Sequence, residues 1–304
     1  MAKTTSKTKR RKVAPMRATA RAAERVVAFA NLAGTHLAPH VRAGSRLGAQ
    51  GEAGRMKSAA LPKAVKRRAK PLRAVVAAAA GAAMEFPAGG QRRFVTQPSA
   101  QPYSSHVMLL MRTGDNTRRV GTGWLIGPHT IITAGHCVYD GGWMREITVT
   151  PGGLDSGMPT VPGIHWNSTQ DWISGSRAQR EAADFGVIYI QDPFPGVAPL
   201  RFASYSDEQL NAVRASSGLV IAGFPANPFC TFLEDGGRLL DFNAPHLLYD
   251  VETYQGQSGA PVLHIQADGE PVVVGIHHWS VGPGQNRGIR IGSAVRNLLN
   301  GWAT

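Results

Sequence analysis

The sequence predicts an all-β sandwich or barrel behind a low-complexity basic N-terminal extension, on three observations. From Phe94 onward the apolar residues fall in runs of three to six, at 107–111, 123–126, 130–134, 147–149, 185–190, 219–224, 247–251, 260–264, 272–277 and 288–291. Gly, Pro, Asn and Asp separate them, and short runs punctuated in this way are strands. Helical spacing is clear only at the C-terminus, where Val295, Leu298, Leu299 and Trp302 line one face and Ser293 stands as N-cap. Charge divides the chain as well: residues 1–85 hold 19 Lys+Arg against 3 Asp+Glu, residues 86–304 hold 14 against 17, and no lysine follows Lys70.

The pI near 10.3 and net charge of +13 therefore belong to the extension. A basic chain of this kind would ordinarily suggest nucleic acid or an anionic surface as partner, but residues 86–304 are close to neutral, and no nucleic acid is expected for that part. Residues 1–85, rich in Ala, Arg and Lys, have too few large apolar side chains to build a core and read as a leader or propeptide. Within it, residues 63–84 combine a basic stretch with the small, apolar run AVVAAAAGAAM. That is a secretory signal pattern, too short to span a bilayer, so export without stable membrane insertion is expected. Met56 places the pattern near a start codon.

Three segments after the extension carry chemistry. Tyr254-Gln255-Gly256-Gln257-Ser258-Gly259-Ala260-Pro261-Val262 sets a serine between glycines in a turn that opens into a strand. A hydroxyl there can be presented beside backbone N–H groups, as a nucleophile and its oxyanion require. Thr133-Ala134-Gly135-His136-Cys137 ends a strand with a histidine, and Ala183-Asp184-Phe185-Gly186-Val187 puts an aspartate at the mouth of another. An imidazole that titrates near neutral pH suits a general base, and a carboxylate on its other nitrogen fixes the tautomer. Asp171 and Asp192 are rival carboxylates. The order His136, Asp184, Ser258 is that of the chymotrypsin template rather than of subtilisin or the α/β-hydrolases.

On GTGWLIGPHTIITAGHCVYD (121–140), ADFGVIYI (183–190), IAGFPAN (221–227), YDVETYQGQSGAPV (249–262), VGIHHW (274–279) and NRGIRI (286–291), the sequence resembles the chymotrypsin-like serine proteases, and within them the bacterial glutamyl endopeptidases. The resemblance spans essentially everything after Pro87. It implies two six-stranded antiparallel β-barrels with a C-terminal helix over residues 86–304, and a secreted, monomeric endopeptidase that acts on proteins or peptides and prefers glutamate before the scissile bond. It implies a triad of His136, Asp184 and Ser258, and an oxyanion hole made by the N–H groups of Gly256 and Ser258. Thr253 and His277 match the family's glutamate-binding threonine and histidine.

Gln257 stands where digestive-type relatives carry the acidic residue that pairs with a new N-terminus, so activation by that ion pair is not expected. The family's spacing puts the mature N-terminus near Phe86, and Glu85 before it would suit self-processing. Gly121 replaces the cysteine that many relatives bridge to the one after the catalytic histidine, which leaves Cys137 either paired with Cys230 or free. No cofactor and no metal cluster are expected, since the histidines are scattered and His277 and His278 would point to opposite faces of a strand. Two alternatives stay open: a trypsin-like enzyme of other specificity, and a protease-like fold used for binding with an anion-seeking basic leader.

Overall fold

The computed structural model describes residues 92–216, 218–226, 231–282 and 284–303. The leader of residues 1–85, the signal-like segment 63–84, Met56, the processing site at Glu85 and Phe86, and Cys230 lie outside the described residues.

The described chain enters through a two-residue strand, β1 (Arg93–Phe94), and then builds β2 (His106–Arg112), β3 (Arg118–Gly127), β4 (Thr130–Thr133), β5 (Glu146–Pro151), β6 (Val161–Ser168) and β7 (Gly186–Ile190). The last six close into an antiparallel barrel in the order β2-β3-β4-β7-β6-β5. Alternation explains the closure. Val107, Leu109 and Met111 of β2 point inward onto Leu125, Ile131, Ile147, Val149 and Ile188. Met108 points the other way, onto Ala222, Phe224 and Phe232 of the second sheet, so β2 is covered on both faces. Between β6 and β7 the chain makes two short helices, α1 (Gln170–Ser174) and α2 (Arg177–Ala182). Thr169 caps the first, and a capping box of Ser176 and Gln179 starts the second.

The second unit comprises α3 (Asp207–Ala215), β8 (Leu219–Gly223), β9 (Leu233–Gly237), β10 (Leu239–Phe242), β11 (His246–Tyr249), β12 (Pro261–Ile265), β13 (Pro271–Gly282), β14 (Gln285–Arg290) and α4 (Ser293–Trp302). Its strands form one eight-stranded sheet, β1-β9-β8-β12-β13-β14-β11-β10, in place of the expected closed six-stranded barrel. Two features account for the difference. β1 adds an outer strand on β9. β9 and β10 are separated by Arg238 alone, with β9 paired to β8 and β10 paired to β11 at the far end of the sheet. The sheet therefore curls toward itself around the bend at Arg238, whose carbonyl accepts from Asp250 N–H at 3.2 Å.

The C-terminal helix is present, but Gly292 is its N-cap and Ser293 its first residue. The polypeptide leaves β14 extended at Gly292, and Arg296 N–H closes the first turn on the Gly292 carbonyl at 2.8 Å. Leu299 and Trp302 bury against Phe185, Val187 and Ile289, bridging the first barrel and the second sheet. Among the described residues no helix is long and apolar enough to cross a membrane.

Candidate active site

His136 lies in a 3₁₀ turn, Gly135–Cys137, directly after β4, and Asp184 lies two residues before β7, which pairs with β4. Strand pairing thus brings together two residues 48 positions apart. Asp184 is fully buried and accepts twice from one residue: His136 N–H on Oδ1 and His136 Nδ1–H on Oδ2, both at 2.9 Å. A carboxylate buried without donors would be too costly to keep ionised. Burial pushes Asp184 upward, but the His136 charge and hydrogen bonds outweigh it and hold the group below the ordinary carboxylate range. Burial likewise works against the His136 cation, and the Asp184 carboxylate outweighs it, raising the imidazole well above its usual 6.5. The rivals do not compete. Asp171 bonds Gln179 from α1, and Asp192 is exposed.

Ser258 lies on the turn before β12. Gly256 and Gly259 adopt φ of +99° and +87°, and a Cβ on Gly256 would sit 2.5 Å from both Ala226 N and Phe224 O. Only glycine fits that conformation and that approach. Gln257 N–H bonds the Tyr254 carbonyl at 3.0 Å, and the buried Gln257 side chain accepts from Tyr254 N–H at 2.8 Å. The turn is tied to the first barrel through β3: Thr122 N–H bonds the Ser258 carbonyl, and Thr122 Oγ1 donates to the Gly256 carbonyl, each at 2.9 Å. Cys137 carries a free, buried thiol, with Sγ 3.7 Å from the Ser258 carbonyl. The histidine turn and the serine turn are therefore in contact. Ser258 Oγ donates to the His278 carbonyl at 3.4 Å. Among the described residues the N–H groups of Gly256 and Ser258 have no acceptor.

Thr253 and His277 flank this turn. Thr253 is half-buried between Glu252, whose carboxylate accepts from Arg92 Nε at 2.9 Å, and Tyr254, whose ring lies 4.6 Å beneath the Arg92 guanidinium. His277 is buried on β13, with Nδ1 2.7 Å from Tyr249 Oη, and its carbonyl accepts from Gly259 N–H. Burial, with the neighbouring His278, pushes His277 down to about 3. His278 turns to the other side and puts Nδ1 3.4 Å from Asp184 Oδ2. Among the described residues no three His, Cys, Asp or Glu side chains are grouped to hold a metal ion.

A model of the trypsin-like peptidase domain matches residues 121–276, which runs from β3 through the serine turn into β13. The chain belongs to the trypsin-like peptidase family. A glutamyl endopeptidase of Bacillus licheniformis is 30% identical over 69% of this chain and 66% of its own length. A Bacillus subtilis protein named extracellular metalloprotease is also 30% identical, over 70% of this chain and 68% of its own. Among solved structures, a Glu endopeptidase in complex with MPD superposes with a TM-score of 0.58 at 21% identity, covering 70% of this chain and 96% of that one. The protease Anisep from Arthrobacter nicotinovorans gives 0.53 at 15% identity, with 70% and 99% covered. The described chain is thus a chymotrypsin-like serine endopeptidase, acting on protein or peptide substrates.

Reading motifs along this peptidase misses three residues that the fold brings to the site. Thr122 joins both halves through its hydroxyl, which also accepts from Phe224 N–H at 3.0 Å. Tyr249 fixes the ring of His277. His278 reaches Asp184. Strand alternation separates His277 from His278, but nothing local in the chain says which groups wait on either side.

Proposed function

We propose that this peptidase is an exported glutamyl endopeptidase whose triad is His136, Asp184 and Ser258. Ser258 Oγ bonds to the scissile carbonyl carbon as His136 Nε2 takes its proton; the C–N bond then breaks, and the leaving amine departs with that proton. Water reverses the sequence and frees the acid. Asp184 keeps the Nδ1–H tautomer and favours the imidazolium, while the Gly256 and Ser258 N–H groups face the oxyanion. The observation that carries this reading is the doubly bonded His136–Asp184 pair on a turn whose next residue, Cys137, contacts the serine turn, where among the described residues the two amides have no acceptor of their own.

A preference for glutamate is supported by Thr253 and His277 beside that turn, and by relatives that bear the name glutamyl endopeptidase. With Tyr249 Oη–H donating to Nδ1, the His277 ring keeps its proton on Nε2, where a substrate carboxylate can accept it. Export is supported by the signal-like segment 63–84 and by the extracellular relative. Peptides that differ only in the residue before the scissile bond, assayed beside Ser258→Ala, test the reading. Cleavage after glutamate should exceed cleavage after glutamine, leucine and lysine, and vanish in Ser258→Ala. A wild-type preference for lysine or leucine, or an active Ser258→Ala, would overturn it.

A further inference from the structure

Two imidazoles face Asp184, and the triad uses one of them. His278 Nδ1 is 3.4 Å from Oδ2, the oxygen that also accepts from His136 Nδ1–H. Its placement comes from a β-bulge: His277 pairs with Gly288 and Trp279 with Arg287, so His278 is the extra residue, and bulges re-aim side chains beside active sites. The ring is clamped. It stacks on His246 at 5.6 Å with the planes 8° apart, and on Trp279 at 4.7 Å. His246 is in turn held by Nε2–H donating to the Glu181 carbonyl at 2.9 Å. His278 is buried, and among the described residues neither of its nitrogens has a hydrogen-bond partner of good geometry; Asp184 Oδ2, 3.4 Å from Nδ1, is the acceptor beside it.

We propose that His278 is a positioning residue for peptide hydrolysis, donating Nδ1–H to Asp184 Oδ2 and so locking the carboxylate against His136. The proposal rests on the reading of Asp184 as the triad carboxylate. Oδ1 is taken by the His136 N–H and Oδ2 by His136 Nδ1–H, so a third donor leaves the carboxyl no rotation that keeps its bonds. The donor must also be neutral, because a cation beside Asp184 would repel the imidazolium that His136 becomes during the reaction. The surroundings provide that. Burial lowers His278, the Arg287 and His136 charges add to the effect, and Asp184 opposes it. Burial pushes the stacked His246 down to about 4, and the adjacent His277 is down to about 3. Glu181, the remaining charged neighbour, is paired with Arg177 and Arg287.

Two substitutions separate positioning from packing. His278→Asn keeps an amide N–H near the place of Nδ1, and His278→Gln moves it toward the place of Nε2, away from Asp184. The asparagine chain should keep kcat within about threefold, and the glutamine chain should lose about tenfold in kcat with KM nearly unchanged. Removing the donor returns negative charge to the His136 bond, so the acid limb of kcat/KM should move to higher pH in His278→Gln only. Equal losses in both variants, or full activity in His278→Gln, would overturn the proposal. Imidazole ¹⁵N NMR of the unmodified enzyme gives a reading independent of folding in the variants: a proton on His278 Nδ1 is expected, and a proton on Nε2 alone would overturn it. If Ser258→Ala stays active the triad reading falls and takes this inference with it. If Ser258→Ala is dead while both His278 variants behave alike, only this inference falls.

Discussion

The two halves of the site are built differently. In the first barrel, His136 and Asp184 come from paired strands and are locked by two 2.9 Å bonds before any substrate arrives. In the second sheet, Ser258 rides on a turn whose glycines shape it, and its hydroxyl is engaged with the His278 carbonyl. One half is a hydrogen-bonded imidazole–carboxylate pair, the proposed base and its partner. The other is a presentation surface, carrying the proposed nucleophile, two amides without an acceptor among the described residues, and the candidate pocket residues Thr253 and His277. The comparison places the sensitive geometry at the seam, where Thr122 and Cys137 meet the Ser258 turn.

Breaking either half chemically should have the largest effect. Ser258→Ala removes the proposed nucleophile and should lower kcat by roughly 10⁴ to 10⁶, whereas Asp184→Asn should leave the fold of the first barrel and cost about 10⁴ by stabilising the wrong tautomer. Single-turnover kinetics on a glutamate peptide measures both. A loss below tenfold in either variant would mean that the two halves do not work as one site.

The pH profile sharpens the comparison. As the proposed base His136 must be neutral, and its pKa is raised by Asp184 against the effect of burial, so the acid limb of kcat/KM should lie above pH 6.5. Stability runs the other way. A raised histidine contributes fully below its unfolded value near 6.5, and that contribution is lost as pH climbs through the folded value. From Asp184, whose pKa is lowered, the same pair contributes above the unfolded carboxylate value near 3.9 and is lost as pH falls through the folded one. Denaturation midpoints should therefore decline across the pH range in which activity rises, and in Asp184→Asn that decline should disappear. An acid limb at or below 6.5 would contradict the pairing.

Cutting the seam should cost less. Thr122 is fully buried, and its one hydroxyl donates to the Gly256 carbonyl and accepts from Phe224 N–H. Thr122→Val keeps the shape and leaves both backbone groups unpaired, at roughly 1–3 kcal/mol of stability. Because Gly256 carries one of the proposed oxyanion donors, kcat should fall by about tenfold with it. Denaturant midpoints and kcat measured on one preparation test the link; lost stability with unchanged kcat would show the seam to be structural only.

The strands and the site differ in how much of them was legible in the chain. All ten apolar runs fall on strands, because each carries enough Val, Ile and Leu to be seen locally. β9, with the sequence LEDGG, and β6, with Pro162 and Gly163, contradict strand preference and exist because their neighbours supply the ladder. α2 and α3 do carry their signals, Ser176 with Gln179 and Ser206 with Gln209, on stretches too short or too polar to show periodicity. His136, Asp184 and Ser258 stand out because each lies in a local motif. Thr122 and His278 do not, since one acts across the seam and the other through a bulge that only strand pairing creates.

The smallest effect on activity is expected where the seam can be reinforced. Gly121 of β3 faces Cys137, and a Cβ built on it would lie 2.9 Å from Cys137 Sγ, with Met111 Cε at 3.0 Å. A Cβ and the partner sulfur of a disulfide are separated by about that distance, as the 2.04 Å S–S bond and ordinary angles require. Gly121→Cys should therefore oxidise spontaneously, with the flexible Met111 side chain moving aside. The loop closed is short, and the chain-entropy model gives about 3 kcal/mol for a loop of roughly this length. The bond would tie β3 to the residue after His136 without touching Asp184 or Ser258, so kcat should stay within about twofold while the denaturation midpoint rises. Thiol titration of the denatured chain should find one thiol fewer than in the unmodified protein despite the added cysteine, and reduction should abolish the gain. An extra free thiol with an unchanged midpoint would show that Gly121 and Cys137 do not approach as described, and would loosen the seam on which the alignment of the two halves depends.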